Sequence, residues 1–319
     1  MVVLLVGAAG GIAYWLNGRY VDQVERIPQV FAGLDDSQRP KATATPPVQN
    51  SAAPTDGIAQ TFLLLGSDLV NDGISRADTI MMVCLAADRK GAEAISIPRD
   101  SWVNIPGYGM NKVNAAYAFG GPTLMVQTVE QLTGVRIDHV VSVDFTGFHA
   151  MVDAIGGIDV TIAEQTTMEG YTFQAGANHL DGEHALLYVR QRKNLPGGDF
   201  DRVQRQQNAL RAFGHAAQRK GAVSNPLQTN RLFAALTSAV TVDEGLTNGD
   251  LRSLFDSMRF LSPDRVGFYT APVTGTGDEG GQSVVYLDAT AAPTFWALFV
   301  QLQVGAHSIE YKQLPDLVR

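Results

Sequence analysis

Hydrophobic and polar positions divide the chain into three parts. Residues 2–16 are apolar and uncharged, residues 34–58 are rich in Pro, Ser, Thr, Ala and Gln, and from Gln60 onward short apolar runs alternate with helical stretches. Continuous apolar runs of strand length are typical of strands that are covered on both faces. Because helices alternate with these strands, the pattern predicts a mixed or mostly parallel sheet with helices on both faces.

The same pattern predicts the individual elements. Strands are predicted at residues 61–66, 79–86, 93–97, 139–143, 158–162 and 266–270. Helices are predicted at residues 113–119, 122–132, 145–155, 183–188, 200–218, 249–260 and 289–302. No internal repeat or second linker interrupts this series. Residues 59–312 are therefore expected to form one domain, followed by a tail at residues 313–319.

The N-terminal run leaves three interpretations open: a membrane anchor truncated at its start, a signal-peptide core and a buried core helix. A helix over residues 2–16 would cover about 22 Å, which is less than the roughly 30 Å hydrocarbon core of a bilayer. Tyr14 and Trp15 stand where an interfacial aromatic belt would lie. No clear small-residue cleavage pattern closes the run, which favours the anchor. We therefore predict a membrane anchor over residues 1–20.

Residues 21–58 are predicted to be a flexible tether. The Pro-rich, polar stretch at residues 34–58 cannot bury enough apolar surface to offset the entropy lost on ordering. An anchor, a tether and a folded body together form the layout of a protein held at a membrane surface.

Composition and charge exclude several classes of protein. Of the 319 residues, 45% are hydrophobic and 18% are charged, which excludes collagen, bulk disorder and a polytopic membrane protein. The chain has 24 Lys and Arg against 32 Asp and Glu, and its net charge of −8 disfavours nucleic acid as a partner. Its one cysteine, Cys84, excludes an intrachain disulfide, and the apolar run around it predicts a buried side chain.

The first candidate for chemistry is a pair of carboxylates. Asp68 follows one predicted strand and Asp78 begins the next, so a tight connection would bring both to one edge of the sheet. Carboxylate oxygens in that arrangement suit Mg²⁺ or Mn²⁺ beside a phosphate. The alternative is that Asp78 caps a turn and Asp68 is solvated.

Arginines form the other two candidates. Arg99 follows the strand at residues 93–97, and ligands of open α/β sheets bind beyond the carboxyl ends of the strands. The last cluster contains Arg190, Arg192, Arg202 and Arg205. Asp199 or Asp201 would cap the helix that follows, and arginines in its first turns would make the helix N-terminus a phosphate receptor. The alternatives are a surface ion pair of Arg99 and an exposed, charged helix face.

Other chemistries have little support in the sequence. It contains no Gly-x-Ser-x-Gly elbow, no P-loop and no His-Glu-x-x-His motif, and its six histidines show no ligand spacing. Carboxylates and arginines without a nucleophile are typical of phosphoryl or pyrophosphoryl chemistry. That chemistry depends on positioning the reactants and on neutralising charge.

Seven segments carry a resemblance to a known family. They are FLLLGSD, SRADTIMMV, AISIPRDSWV, NKVNAAYAFGG, VDAIGGIDV, LDGEHALLYVRQRK and GDFDRVQRQQ. In this order, over about residues 59–300, they resemble the LytR-CpsA-Psr family of cell-wall ligases. The resemblance implies a three-layer α/β/α sandwich with a mixed central sheet. It also implies that a single-pass anchor holds this domain on the extracytoplasmic face of the cell membrane.

The resemblance further implies an activity and its residues. A glycopolymer would pass from a polyprenyl-pyrophosphate carrier to a peptidoglycan hydroxyl, with Mg²⁺ present. Asp68 and Asp78 resemble the metal-binding carboxylates. The implied catalytic residues are Asp78, Arg99, Arg190 and Arg202. The implied pyrophosphate-binding residues are Arg76, Arg99, Arg190, Arg192, Arg202 and Arg205.

The chain departs from the family pattern directly after Asp68. The family often has Ser-Arg at that point, whereas this chain has Leu69, Val70 and Asn71. The departure keeps a second hypothesis open, a non-catalytic carrier that binds polyprenyl phosphates and presents them to other enzymes. A transcriptional regulator is a third hypothesis, which the acidic balance and the absence of a helix-turn-helix pattern disfavour.

Overall fold

A computed structural model describes residues 22–41, 59–68, 76–219, 226–258, 261–307, 310–315 and 318. In this part of the chain, a seven-stranded mixed sheet lies between two layers of helices. The predicted anchor at residues 1–20 and residues 42–58 of the predicted tether lie outside it. Among the described residues, no helix combines the length and the apolar character that crossing a membrane requires.

Each predicted strand and helix has a counterpart in the structure. The strands are β1 (Glu25–Ile27), β2 (Gln60–Asp68), β3 (Arg76–Leu85), β4 (Ala92–Ser96), β5 (Trp102–Ile105), β6 (Gly109–Lys112), β7 (His139–Asp144), β8 (Ile158–Ile162), β9 (Thr166–Met168), β10 (Tyr171–Phe173), β11 (Gly176–Leu180), β12 (Val240–Asp243), β13 (Val266–Thr270), β14 (Val273–Glu279) and β15 (Gln282–Leu287). The helices are α1 (Ala115–Thr133), α2 (Phe145–Ala154), α3 (Gly182–Arg190), α4 (Asp199–Arg219), α5 (Pro226–Ala239), α6 (Asn248–Met258) and α7 (Ala292–Val300).

The direction of the strands gives the sheet one edge suited to ligands. The strand order is β1-β12-β7-β2-β3-β4-β13. β2 runs parallel to β7 and β4 runs parallel to β13, whereas β3 is antiparallel to both β2 and β4. The carboxyl ends of β2, β4, β7 and β13 and the amino end of β3 therefore lie together. We call this the carboxyl edge, where open α/β sheets bind their ligands.

Alternation along the strands divides the core into two halves. On β2, Phe62 and Leu64 face the half that contains helices α2–α6, whereas Leu63 and Leu65 face the half that contains α1 and α7. All four side chains are buried. Because helices cover both faces, the strand is apolar at every position rather than at every second one. The predicted mixed α/β fold is thereby confirmed.

Residues 22–41 belong to the folded body, which corrects the predicted bounds of the tether. β1 extends the sheet by pairing parallel to β12, and Val30 is buried in the core. Arg39 donates to both carboxylate oxygens of Glu130, from Nε at 3.0 Å and from Nη2 at 2.8 Å. The sequence pattern does not reveal this because β1 is only three residues long and two of them are charged.

The predicted break between residues 119 and 122 is confirmed. The helices predicted at residues 113–119 and 122–132 correspond to the two halves of α1, which are separated by a kink where Gly120 and Gly121 leave helical φ/ψ values, just before Pro122. The sequence pattern does not predict α5 or β12. They follow each other without a turn, so no loop residue marks their boundary.

The acid Glu93 is buried in the sheet with no cation beside it among the described residues. Glu93 of β4 is 6% exposed, and its Oε1 accepts a hydrogen bond from the backbone N–H of Gly305 at 3.2 Å. Burial raises the pKa of Glu93 to about 7. Cys84 lies opposite it on β3, and its predicted burial is confirmed. Burial raises the pKa of the Cys84 thiol to about 12, so the thiol is protonated at neutral pH.

Replacing Arg39 tests whether residues 22–41 stabilise the fold. Arg39→Met should lower the free energy of unfolding by about 3 kcal/mol, because the buried carboxylate of Glu130 would lose its cation. Urea denaturation measures the change. Arg136→Met is the control, since Arg136 pairs with the exposed Asp36 and its removal should have a much smaller effect. An Arg39→Met protein as stable as wild type would contradict the assignment of residues 22–41 to the folded body.

Glu93 should make stability depend on pH. Its pKa in the folded protein lies above its ordinary value of 4.5, so the folded state holds the extra proton and stability falls as the pH rises from about 4.5 to about 7. Glu93→Gln removes this titration. Its stability relative to wild type should therefore increase by on the order of 2–3 kcal/mol across that window. Glu25→Gln, on the exposed side of β1, controls for the loss of one charge. Parallel stability curves for wild type and Glu93→Gln would refute this account.

Candidate active site

Charged side chains from several chain segments meet at the carboxyl edge of the sheet. Arg99 lies three residues beyond β4, and its Nη1 donates a hydrogen bond to Oδ1 of Asp78 in β3. The Nε atom of Arg99 lies 3.5 Å from Oδ1 of Asp199 and 3.9 Å from Oδ2 of Asp100. This guanidinium therefore links strand β3, the segment after β4 and the start of helix α4.

Asp199 lies at the centre of these contacts. Its Oδ1 is 2.8 Å from Nη2 of Arg202, 3.5 Å from Nε of Arg99 and 3.9 Å from Nε of Arg192. The structure thus brings together three of the arginines predicted to bind pyrophosphate. From the sequence, Asp199 is predicted only as a candidate helix cap. The signal for a larger role is its place between a Gly-Gly pair and an arginine-rich helix.

The side chains of Asp78, Arg99, Arg192, Asp199 and Arg202 form what we call the Arg–Asp cluster, and it contains buried polar atoms without hydrogen bonds. Within the described part of the chain, Oδ2 of Asp199 accepts no hydrogen bond and the Nε atoms of Arg99 and Arg202 donate none, while Nη2 of Arg202 and Oδ1 of Asp199 meet as an ion pair at 2.8 Å. A buried donor without a partner costs about 1–3 kcal/mol. These N–H groups are held in place by ion pairing and can bind the oxygens of an anion.

Burial and charge act in opposite directions on the arginines. Burial lowers the pKa of Arg99, but the carboxylates of Asp78 and Asp199 outweigh that effect and the pKa is raised. The pKa of Arg202 is lowered, chiefly by burial, while Asp199 opposes the decrease and Arg99 adds to it. Both groups keep their charge at neutral pH because an ordinary arginine titrates above pH 12. A bound anion would reduce the repulsion between them.

The loop before α4 has a shape that glycine permits. Gly198 has a φ of +56°, in the left-handed region. A Cβ atom on Gly197 would lie 2.5 Å from Oδ1 of Asp201, so a larger residue would displace this carboxylate. Oδ2 of Asp201 accepts a hydrogen bond from the backbone N–H of Gly197 at 2.7 Å, which closes the loop.

A glutamine fixes α4 against the sheet. Nε2 of Gln207 donates to Oγ of Ser96 at 2.8 Å and to the backbone oxygen of Tyr269 at 2.7 Å. Ser96 ends β4, and Tyr269 lies near the end of β13. These contacts hold the first turn of α4, with Asp199 and Arg202, over the carboxyl edge.

Arg190 lies at the same edge in a different setting. It is exposed at the end of α3, and its guanidinium lies 5.0 Å from the centre of the Phe145 ring. Phe145 begins α2 directly after β7. This cation–π contact therefore places Arg190 beside the carboxyl end of β7.

Arg205 is buried and bonded within the fold, which corrects the prediction that it binds pyrophosphate. Its side chain is 0% exposed. Nη1 donates to Oε1 of Gln191 at 2.6 Å, Nη2 donates to Oγ1 of Thr166 at 2.9 Å, and the guanidinium lies 4.7 Å from the centre of the Tyr188 ring. Three residues of helix carry Arg205 about 4.5 Å deeper than Arg202. That distance separates it from the carboxyl edge.

The predicted metal site is described only in part. Asp68 and Arg76 face each other in the β2–β3 ladder, but their side chains lie outside the described part of the structure. Their metal-binding and phosphate-binding roles stay predictions. The carboxylate of Asp78 accepts a hydrogen bond from Arg99. Among the described residues, no group of three or more His, Cys, Asp and Glu side chains is arranged to hold a metal ion.

Two cavities adjoin the carboxyl edge on opposite sides of the sheet. An apolar cavity of about 60 Å³ lies on the side of α2, α3 and α4, and its walls include Leu64, Met81, Phe148 and Leu210. A polar cleft of about 420 Å³ lies on the side of α1 and contains the side chains of Arg99 and Arg192. The Arg–Asp cluster therefore has an apolar neighbour on one side and a polar neighbour on the other.

Known proteins resemble this chain in sequence and in fold. The model of the LytR_cpsA_psr family matches residues 33–297. The cell wall biosynthesis protein LcpA of Corynebacterium glutamicum is 33% identical over 265 residues, which cover 73% of this chain and 50% of LcpA. The polyisoprenyl-teichoic acid–peptidoglycan teichoic acid transferase TagU of Bacillus cereus is 41% identical over 151 residues, which cover 47% of this chain and 50% of TagU. The crystal structure of B. subtilis TagV superposes with a TM-score of 0.66 at 27% identity, covering 77% of this chain and 97% of that chain. The chain spans about half the length of the curated relatives that it matches.

The different roles of Arg205 and Arg202 can be tested by measuring the free energy of unfolding of their alanine variants. Arg205→Ala should lower the free energy of unfolding by about 3 kcal/mol, because it leaves buried acceptors without their donor. Arg202→Ala should change it by less than about 1 kcal/mol, since Asp199 keeps Arg99 and Arg192 beside it and the repulsion between Arg202 and Arg99 is removed. Chemical denaturation compares the two variants. The reverse order of destabilisation would contradict the structural role of Arg205.

Proposed function

The chain belongs to the LytR_cpsA_psr family, and from this membership and its Arg–Asp cluster we propose that it transfers a glycopolymer from a polyprenyl-pyrophosphate carrier to a peptidoglycan hydroxyl. Its N-terminal residues would anchor it in the cell membrane, with the domain on the extracytoplasmic face. The names of its relatives support this proposal. LcpA is a cell wall biosynthesis protein, and TagU is a peptidoglycan teichoic acid transferase.

The observation that carries the proposal is the set of buried arginine N–H groups without hydrogen bonds. They belong to Arg99 and Arg202, which meet at Asp199 although they come from separate chain segments. A pyrophosphate offers oxygens on two neighbouring phosphorus atoms, and planar guanidinium groups bind such oxygens in pairs. Arginines that approach from different directions can therefore contact both phosphates at once.

The chemistry requires no nucleophilic side chain. The oxygen of the acceptor hydroxyl forms a bond to the phosphorus on the glycan side, and the bond from that phosphorus to the bridging oxygen breaks. Polyprenyl phosphate leaves with the negative charge that develops, and the hydroxyl proton would pass to the carboxylate of Asp78 or to solvent. Arg99, Arg192 and Arg202 would stabilise that charge, and contacts that strengthen as it develops lower the barrier.

The apolar cavity supports a lipid donor. Its walls include Thr79, which follows Asp78 along β3, and most of the other lining residues are aliphatic or aromatic. The first carbons of a polyprenyl chain would lie there while the pyrophosphate lies against the arginines. Arg190, which stacks on Phe145 at the wall of this cavity, would bind the phosphate next to the lipid.

Mg²⁺ is part of the proposal. The carboxylate of Asp78 is a suitable ligand for this ion, because Mg²⁺ prefers carboxylate oxygens. Arg99 engages only Oδ1 of Asp78 among the contacts that the structure describes, which leaves Oδ2 for a cation. Asp68, at the end of β2, would supply the second carboxylate. The ion, when bound, would neutralise charge on the phosphate oxygens.

Lysine substitution in the cluster tests the transferase. Arg202→Lys should keep binding of the lipid-pyrophosphate glycan within a few-fold of wild type but lower transfer to peptidoglycan oligomers by about 10- to 100-fold. The reason is that lysine keeps the charge but loses the planar fork that contacts the reacting phosphate. Arg219→Lys, at the exposed far end of the same helix, is the matched control.

The same assay separates a transferase from a carrier. A transferase should lose turnover in EDTA and recover it with Mg²⁺. Donor binding without any transfer by wild type, at every metal concentration, would favour the carrier. Equal binding and equal transfer by Arg202→Lys and wild type would show that the Arg–Asp cluster is not part of the active site.

A further inference from the structure

Two large aromatic side chains are exposed together near the polar cleft. Among the described residues, the exposed large hydrophobics are Tyr108 at 55%, Met110 at 51%, Phe119 at 43% and Val273 at 36%. Tyr108 lies on the β5–β6 hairpin and Phe119 on the first half of α1, whereas Met110 lines a different cavity. Clustered apolar side chains on a polar surface are typical of a binding site.

The two rings of this group form a flat surface. The centres of the Tyr108 and Phe119 rings are 4.7 Å apart, with an angle of 19° between the ring planes. Tyr108 stands in the tight turn of the hairpin, where its backbone N–H donates to the oxygen of Ile105 at 2.9 Å. Phe119 precedes the kink of α1 at Gly120. We call the two stacked rings the aromatic platform.

Backbone hydrogen bonds connect the platform to the Arg–Asp cluster. The hairpin is inserted between Asp100 and α1, and the backbone N–H of Val113, after β6, donates to the oxygen of Ser101 at 2.8 Å. The backbone N–H of Asn114 donates to the oxygen of Arg99 at 3.2 Å. Phe119 of the platform lines the same cleft as Arg99 and Arg192.

The polar cleft fills the space between platform and arginines. Its walls include Arg99 and Arg192 towards the cluster, Phe119 towards the platform, and the side chains of Asn111, Asn114 and Gln282. Amide side chains both donate and accept hydrogen bonds, as the hydroxyl and amide groups of a sugar require. Aromatic rings pack against the apolar C–H faces of sugar rings. A larger cavity, of about 590 Å³, is lined by no charged residue and by none of the arginines of the cluster.

We propose that this cleft binds the acceptor glycan strand and that the aromatic platform stacks against its sugar rings. The inference rests on the proposed function and names the acceptor side of the same site. In phosphoryl transfer the attacking and leaving oxygens lie roughly in line with the phosphorus. The apolar cavity for the lipid lies on the α2–α4 side of the sheet, and the cleft lies on the α1 side. The acceptor therefore approaches from the side opposite to the leaving group.

Direct binding of saccharide tests the subsite without the transfer reaction. The probe is a soluble, peptide-free oligosaccharide from digested peptidoglycan, titrated calorimetrically into the protein without donor. Tyr108→Ala and Phe119→Ala should each weaken binding by about 3- to 10-fold. Phe119→Tyr keeps the ring and should retain affinity. Val273→Ala, an exposed hydrophobic substitution outside the cleft, is the control. Unchanged affinity in both alanine variants, or no binding by wild type, would overturn the proposal.

Transfer kinetics and vesicle binding separate this inference from its alternatives. At saturating donor, the alanine variants should raise the KM for the acceptor and leave donor binding unchanged. Weaker donor binding instead would place the donor glycan on the platform and overturn the assignment. Loss of binding to anionic phospholipid vesicles with unchanged saccharide affinity would show a membrane contact and overturn it too. Saccharide binding that depends on the platform in a protein without transfer activity would refute the proposed function and leave the saccharide subsite standing.

Discussion

The ion pairs between Asp199 and the arginines hold the candidate site together. Guanidinium groups repel one another, and a shared carboxylate lets Arg99, Arg192 and Arg202 remain close while two of them are largely buried. Their charges are compensated, but several of their N–H groups are not hydrogen bonded within the described residues. The remaining structure keeps this arrangement in place, since the mixed sheet supplies the edge and Gln207 fixes helix α4 against it.

The two faces of the sheet give the site two different neighbourhoods. Apolar residues of β2 and β3 meet α2–α4 on one side, where the cavity suits a lipid. On the other side, the β5–β6 hairpin and α1 form a polar cleft with an aromatic wall. A pyrophosphate bound at the Arg–Asp cluster would lie between them. A lipid-linked donor requires an apolar surface and a glycan acceptor requires a polar one, and the sheet keeps these two surfaces apart.

The sequence predicts the central strands well because burial on both faces leaves continuous apolar runs, as in β2 and β3. It does not reveal β1, which is three residues long, or the boundary between α5 and β12, which no turn marks. Arg202 and Arg205 show the same limit at the site. Both lie on one face of α4, and only their depth below the carboxyl edge decides that one can meet a ligand while the other bonds Gln191. The central position of Asp199 likewise depends on contacts between distant segments.

Binding of pyrophosphate by the Arg–Asp cluster can be measured with two matched ligands. The dissociation constants of a short-chain prenyl pyrophosphate and the matching prenyl alcohol should be measured for wild type and for Arg202→Met. Two or three charge-assisted contacts predict that wild type binds the pyrophosphate at least about 100-fold more tightly than the alcohol. Most of that preference should disappear in Arg202→Met. Equal affinity of wild type for the two ligands, or an unchanged preference in Arg202→Met, would contradict the account.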